Sequence, residues 1–270
     1  MFRSFTIVVL VILIGILSVG AQDGTTPIPV TTEIVQQAFV NQDGIQFTFD
    51  AEMADTISIA TYPATGEGSA MIPSPAFTEF TFEGYSDGDY TAYAPMPRVD
   101  IFPIEGFGAY PFYVEQLDLL TSIIAERPDL NRYVVAGTNG VVENVLPFLP
   151  IFNAAQVFRV QPQVIETANL RGIRYLVYYS QAMNPITEGE VFYTFQGVTA
   201  DGQHYVSAIL PINTGTIPTD AHENVDPDAF ASQYATYLDD VLGMLSAADV
   251  DSFTPSLYTL DQLVQSIRVR

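Results

Sequence analysis

The chain has 270 residues, of which 48% are hydrophobic and 15% are charged, and its formal net charge is −22 at pH 7. This composition is typical of a folded domain and excludes a disordered or collagen-like chain. A protein this acidic repels nucleic acid and anionic lipid headgroups, so neither is an expected partner.

Several residue types that carry out chemistry are missing. The chain contains no Cys and no Lys, so all nine basic residues are Arg. These absences exclude disulfides, thiolate nucleophiles, Cys-ligated zinc, Schiff bases and the P-loop lysine. The histidines His204 and His222 are too few for a three-His zinc site. Carboxylate chemistry, oxygen-ligated metals such as calcium, or no chemistry at all remain.

The first residues have the pattern of an export signal. A basic start precedes an apolar run over 5–20, and small residues follow it at the expected cleavage point. We predict a signal peptide over 1–21, a Thr- and Pro-rich tether over 22–37 and a single domain over 38–270. The protein is then secreted, with no membrane contact after cleavage. The alternative is an uncleaved N-terminal membrane anchor, because the run is near the shortest that spans a bilayer.

The pattern of the first half of the domain predicts short strands. Four segments alternate apolar and polar residues and are separated by turns rich in Gly, Pro and Ser. These segments are 45–49, 57–62, 80–82 and 99–103.

A helix is predicted over 113–126, followed by an irregular loop over 131–144. Its expected buried stripe consists of Val114, Leu117, Leu120, Thr121 and Ile124. Pro128 ends the helix because proline cannot continue the hydrogen-bond ladder.

A β-hairpin is predicted around Asp201-Gly202, since Asp-Gly accepts the positive φ angles of a tight turn. The expected register places Phe195 opposite Ala208. The other face of the hairpin is expected to hold Phe192, Val198, Tyr205 and Ile209. In the preceding strand, Ile173, Tyr175, Val177 and Tyr179 point to one face, and Leu176 and Tyr178 point to the other. Both faces are therefore apolar, and the sheet must be covered on both sides.

Two further helices can provide this cover. One is predicted over 227–245 from the stripe Phe230, Tyr234, Leu238, Val241 and Leu245. The other is indicated by the C-terminal stripe Leu257, Leu260, Val264 and Ile267. The predicted fold class is α+β, a mainly antiparallel sheet sandwiched between α-helices.

Five segments resemble a family of uncharacterised exported or lipid-anchored bacterial proteins, with a likeness that extends over 45–269. They are LPFLP at 146–150, NAAQVF at 153–158, GIRYL at 172–176, FYTFQGVTADG at 192–202 and YVSA at 205–208. The resemblance implies an extracytoplasmic location and no known activity. Lipid-anchored members have a Cys after the signal, whereas this chain has Ala21, so the anchor does not transfer.

The order of elements is also similar to the PsbP/Mog1-like fold, an α/β/α sandwich that ends in a helix and a strand. Proteins of that fold are mostly assembly or interaction factors, which makes the similarity a fold-level analogy.

Two acidic segments are candidate metal sites. The first contains Asp220, His222, Glu223 and Asp226, and the second contains Asp87 and Asp89. Oxygen ligands at this density suit calcium, and His222 suits a transition metal. The alternatives are that Asp226 caps a helix beginning at Pro227 and that the second segment is a turn.

Two further groups are candidate ligand-binding residues. Arg171 and Arg174 suit an anionic ligand, although an inward Arg174 on a covered sheet would need a carboxylate partner. Phe107 and Tyr110 suit a sugar or peptide groove, and the alternative is core packing beside the helix at 113–126.

The favoured function is that of an exported non-enzymatic domain that binds a protein, a peptide or a small ligand. It predicts no catalytic residue and no cofactor. One alternative is a carboxylate-dependent extracellular glycan hydrolase, which needs two carboxyl groups about 5–9.5 Å apart. The other alternative is a domain stabilised by calcium.

Overall fold

A computed structural model describes residues 37–66, 72–87, 94–136, 144–222 and 225–270. The predicted signal peptide and tether, apart from Gln37, lie outside the described residues, as do Asp89 and Glu223. In the described ranges, no helix combines the length and the apolar character needed to cross a bilayer.

Helices and strands alternate irregularly along the chain. The strands are β1 Gln37–Gln42, β2 Ile45–Asp50, β3 Thr56–Tyr62, β4 Phe77–Glu83, β5 Arg98–Pro103, β6 Val135–Ala136, β7 Ala155–Glu166, β8 Leu170–Ser180, β9 Phe192–Thr199, β10 His204–Pro211 and β11 Arg268–Val269. The helices are α1 Pro111–Glu126, α2 Pro227–Ala231, α3 Tyr234–Ala247 and α4 Leu257–Ser266.

The strands form one large sheet and one small sheet. The large sheet has eight strands in the order β3-β4-β5-β10-β9-β8-β7-β6, and the small sheet has the order β1-β2-β11. Each neighbouring pair is antiparallel. The predicted mixture of helices with a mainly antiparallel sheet is confirmed, and the four predicted early strands are β2 to β5.

The hairpin formed by β9 and β10 has the predicted register. Phe195 pairs with Ala208 and Tyr193 pairs with Leu210. The carboxylate of Asp201 accepts the hydroxyl of Thr199 and the backbone N–H of Gln203, which holds the turn closed.

Two groups of buried side chains lie on opposite faces of the large sheet. One face, here called the α1 face, packs residues such as Tyr175 and Tyr205 against α1. The other face packs residues such as Leu176 and Phe195 against α3, α4 and the small sheet. The alternation predicted for β8 is therefore confirmed, because Tyr175 and Leu176 belong to different groups.

The buried stripe of α1 differs from the predicted one. Tyr113, Leu120, Ile123 and Ile124 are buried, but Thr121 is exposed. The Thr121 hydroxyl donates to the carbonyls of Leu117 and Asp118 on its own helix, so it needs no partner in the core.

The helix predicted over 227–245 is interrupted, although every residue of its predicted stripe is buried. It divides into α2 and α3 because Gln233, with φ −113° and ψ 2°, is not helical. Just before it, the Ser232 hydroxyl donates to the carbonyl of Ala229, competing with the helical ladder. The loop predicted over 131–144 is also partly wrong, since a short 3-10 helix over 130–133 and β6 occupy its first half.

Candidate functional site: a polar row across the sheet

Four polar residues line up across neighbouring strands on the α1 face. The register pairs Glu79 of β4 with Asp100 of β5, Asp100 with Ser207 of β10, and Ser207 with Gln196 of β9. Asp100 belongs to the α1 face because it alternates along β5 with residues of the opposite face. The row therefore places polar groups on a face that also carries a large apolar cluster.

Asp100 is the most deeply buried acid of the row, with no exposed surface. Arg98 donates from Nε to its Oδ2 over 3.1 Å. Its other oxygen, Oδ1, is buried and has no hydrogen-bond partner among the described residues. A buried acceptor without a donor is costly, which favours a proton on this carboxyl group.

Glu79 lies beside Asp100 and closer to the surface. Its Oε1 accepts hydroxyl hydrogen bonds from Tyr62 and Thr81, both over 3.2 Å. Its Oε2 lies 3.7 Å from Nε of Arg98, so one guanidinium faces both carboxyl groups. The Glu79 side chain is 17% exposed and that of Arg98 is 14% exposed.

The surroundings change the protonation of Asp100. Burial raises the pKa of Asp100 to about 7, with Arg98 lowering it and the charge of Glu79 raising it further. Burial and the neighbouring Glu79 also raise the pKa of Tyr62. Asp100 therefore gains or loses a proton near neutral pH, whereas acids in water do so near pH 4.

The other end of the row anchors the segment over 146–150. Gln196 accepts the backbone N–H of Leu149 and the hydroxyl of Tyr205, and it donates back to the Leu149 carbonyl. The Ser207 hydroxyl donates to the same carbonyl over 2.5 Å. These buried polar groups are satisfied by the segment that covers them, which indicates a structural role.

The described residues of the first candidate metal segment have separate contacts. Asp220 is exposed. Nε2 of His222 lies 2.9 Å from Oε2 of Glu190, a residue of the loop before β9. Asp226 accepts the backbone N–H groups of Asp228 and Ala229 at the start of α2, so the alternative role of helix cap is confirmed.

In the second metal segment, Asp87 is the last residue of a short 3-10 helix. Across the ranges that the structure describes, no group of three or more His, Cys, Asp or Glu is placed to hold a metal ion.

The two candidate arginines have different surroundings. Arg171 is exposed and pairs across strands with Glu166. Arg174 is buried, donates to the carbonyl of Gln161 and the side chain of Gln163, and has Nε 3.5 Å from Oδ1 of Asp261. The expected carboxylate partner of Arg174 is therefore present, and the Arg174 side chain is only 4% exposed.

The candidate aromatic residues also belong mainly to the core. Phe107 is 2% exposed and packs against Phe102 and Tyr113 at ring-centroid distances of 6.3 and 5.3 Å. Tyr110 is half-buried with its ring 5.9 Å from that of Tyr113. This arrangement favours the core-packing interpretation of both residues.

The sequence analysis missed Glu79 and Asp100. The available signal was an acidic residue between Val99 and Ile101 in a predicted strand, since a charge there is rare without a partner. Its neighbour Glu79 could not be found from the sequence, because Glu79 lies on a different strand and the register between the two strands was not predicted.

Comparisons with known proteins give no relative. No protein family model, curated protein or solved structure matches the chain.

Proposed function

We propose that the protein is an exported, non-catalytic domain that binds another molecule. The observation that supports this proposal most strongly is the state of the carboxylate pair. Asp100 has no exposed surface, and both oxygens of Glu79 face Tyr62, Thr81 or Arg98. Asp100 cannot touch a substrate without rearrangement, whereas a catalytic acid must lie within hydrogen-bonding reach of the reacting atoms, and the 17% exposed Glu79 already has both oxygens occupied.

The proposed location rests on the sequence. The apolar run over 5–20, followed by small residues at Val19 to Ala21, supports export and cleavage after Ala21. Expression of the full chain in a bacterium, followed by cell fractionation and N-terminal sequencing, tests this. We expect a product outside the cytoplasm that begins at Gln22, and a retained Met1 on a membrane-bound product would support the anchor instead.

The proposed finer fold is a PsbP/Mog1-like layering of helices around the large sheet. The succession of α4 and β11 at the end of the chain supports it, as do the buried residues on both faces of the sheet. In this protein the terminal strand β11 pairs with β2 in the small sheet. The link to assembly and interaction factors is an analogy of fold, which agrees with a binding role.

A carboxylate-dependent glycan hydrolase is the second candidate. The observation in its favour is that the surroundings raise the pKa of Asp100 to about 7, which suits a general acid near neutral pH, and that a second carboxyl group lies beside it. The register also pairs Glu79 directly with Asp100, so the two side chains are neighbours on one face of the sheet.

Turnover assays distinguish the two candidates. The purified protein is incubated with a panel of oligosaccharides at pH 5 to 8, and the products are separated by chromatography. We expect no product from the wild type or from Glu79→Gln. Product formed by the wild type and lost in Glu79→Gln, with the thermal midpoint retained, would overturn the non-catalytic proposal.

A further inference from the structure

The large sheet ends at β3, whose outer edge is open in the part of the chain that the structure describes. β3 pairs only with β4, from Thr56 opposite Glu83 to Tyr62 opposite Phe77. Its residues make no other backbone hydrogen bond with described residues. An edge of this kind offers a row of free donors and acceptors to another extended chain.

The hydrogen-bond pattern identifies the outward residues. Phe82 of β4 donates its backbone N–H to the carbonyl of Pro97, on the side of β5. Backbone groups alternate in direction along an antiparallel strand, so the residues next to Phe82 point towards β3. Their partners Thr56, Ser58, Ala60 and Tyr62 are therefore bonded to β4. Ile57, Ile59 and Thr61 direct their N–H and C=O groups outward.

The composition of β3 leaves this edge unprotected. Its sequence, TISIATY, contains no charged residue and no proline, the two devices that most often block pairing at an edge. The opposite end of the sheet offers a much shorter edge, because the last strand there is the two-residue β6 beside β7. The side-chain amide of Gln161 in β7 also donates to the carbonyls of Leu245 and Ala248 at the end of α3.

The charges around β3 indicate the chemistry of its occupant. Glu52, Asp55 and Glu83 are exposed near the Thr56 end of the strand. None of these three forms an ion pair with another described residue. A second copy of the chain would bring the same acids and another net charge of −22, so long-range repulsion disfavours it. A basic partner is attracted by the same field.

We propose that the β3 edge binds an extended segment of a basic partner protein, which adds to the sheet as a further strand. The segment has alternating small and β-branched residues that pair with Ile57, Ile59 and Thr61. Arg or Lys residues at one end lie beside Asp55 and Glu83. This inference rests on the proposed binding function and assigns it a surface.

The test uses a synthetic peptide of alternating Thr and Val with a pair of Arg residues at one end. Binding of the labelled peptide to the purified protein is measured by fluorescence anisotropy at low salt. One control peptide has Glu in place of the Arg pair. The other is N-methylated on alternate residues and cannot form a hydrogen-bonded ladder. We expect the Arg peptide to bind and both control peptides not to bind, and we expect added salt to lower the affinity of the Arg peptide.

Matched variants locate the binding site. Thr61→Pro removes an outward N–H from an exposed position, a substitution that edge strands tolerate. Thr61→Val keeps the N–H and is the control. We expect about a tenfold loss of affinity in Thr61→Pro and less than about a twofold change in Thr61→Val. Glu83→Gln is expected to weaken binding, whereas Glu115→Gln on α1 is not. Equal thermal midpoints verify folding.

Each other outcome counts against the proposal. Equal binding of the Arg and Glu peptides, or of the N-methylated peptide, would overturn it, as would no binding at all. Self-association that is lost in Thr61→Pro would assign the edge to a second copy. If Thr61→Pro does not fold, the N-methylated peptide and Glu83→Gln still decide the question with folded protein. If the peptide does not bind, the proposal of a β3 docking edge fails but the non-catalytic proposal is unaffected. The non-catalytic proposal is overturned only by glycan turnover.

Discussion

Asp100 gives the protein an unusual dependence of stability on pH. Its pKa is 3.8 in an unfolded chain and about 7 in the folded state, because burial penalises the charge more than Arg98 compensates it. A folded state that holds its proton more tightly loses stability as pH rises from about 4 to about 7. This difference corresponds to a loss on the order of 4 kcal/mol across that interval.

The variant Asp100→Asn removes this contribution with little change in shape. Urea unfolding at pH values between 4 and 8 measures the free energy of unfolding of wild type and variant. We expect the wild type to lose stability with rising pH and Asp100→Asn to show a much flatter profile, because Asn cannot ionise. Asp239→Asn, on the exposed side of α3, is the control and should follow the wild type. An unchanged slope in Asp100→Asn would refute the assignment.

Four further predictions concern stability. Leu176→Ala removes a fully buried side chain of β8 and should lower the free energy of unfolding by about 2–5 kcal/mol, and a loss below about 1 kcal/mol would contradict its place in the core. Ser256→Ala removes the hydroxyl that accepts the N–H of Thr259 at the start of α4 and should cost about 1 kcal/mol, measured by denaturant unfolding. Arg174→Met leaves Asp261, whose side chain is only 14% exposed, without its cation and should cost about 3–5 kcal/mol in urea unfolding. Adding Asp261→Leu should recover part of this loss, and a double variant less stable than the single one would show that the pair is not coupled. Chelator should leave the thermal midpoint unchanged, and a fall in the midpoint that calcium reverses would support the calcium-stabilised alternative.

The sequence predicted those parts of the fold that depend on local patterns. The register of β9 with β10 followed from a predicted turn centred on Asp201-Gly202, and the structure keeps that centre while joining the strands through the four residues 200–203. The alternating residues of β8, β9 and β10 also identified which side chains lie on each face of the sheet. Strand β1 was not predicted, although Asp43-Gly44 between β1 and β2 forms a two-residue turn with φ angles of 48° and 85°.

The long strand β7 was missed for a different reason. Its pattern is interrupted by register shifts, and Gln161 has a positive φ of 52°. A bulge displaces the period of two on which strand prediction depends. The interruption at Gln233 was missed because both halves of the predicted helix share one apolar stripe, which a short break does not disturb.

The candidate site depends on contacts between distant parts of the chain. Arg174 needed a carboxylate, and the sequence could predict that need but not that Asp261 would meet it, since 87 positions separate them. Likewise, the pairing of Glu79 with Asp100 depends on strand order and register together. Single-residue roles such as the cap at Asp226 were predictable because they involve only the next few residues.

Amide hydrogen exchange followed by NMR tests the central claim most directly, namely that the large sheet is buried on both faces and open at β3. We predict slow exchange throughout β8, β9 and β10. Along β3 the amides of Ile57, Ile59 and Thr61 should exchange quickly, while those of Ser58 and Ala60 should be protected. Equal protection of both sets would contradict the open edge, and fast exchange in β9 would contradict the buried sheet.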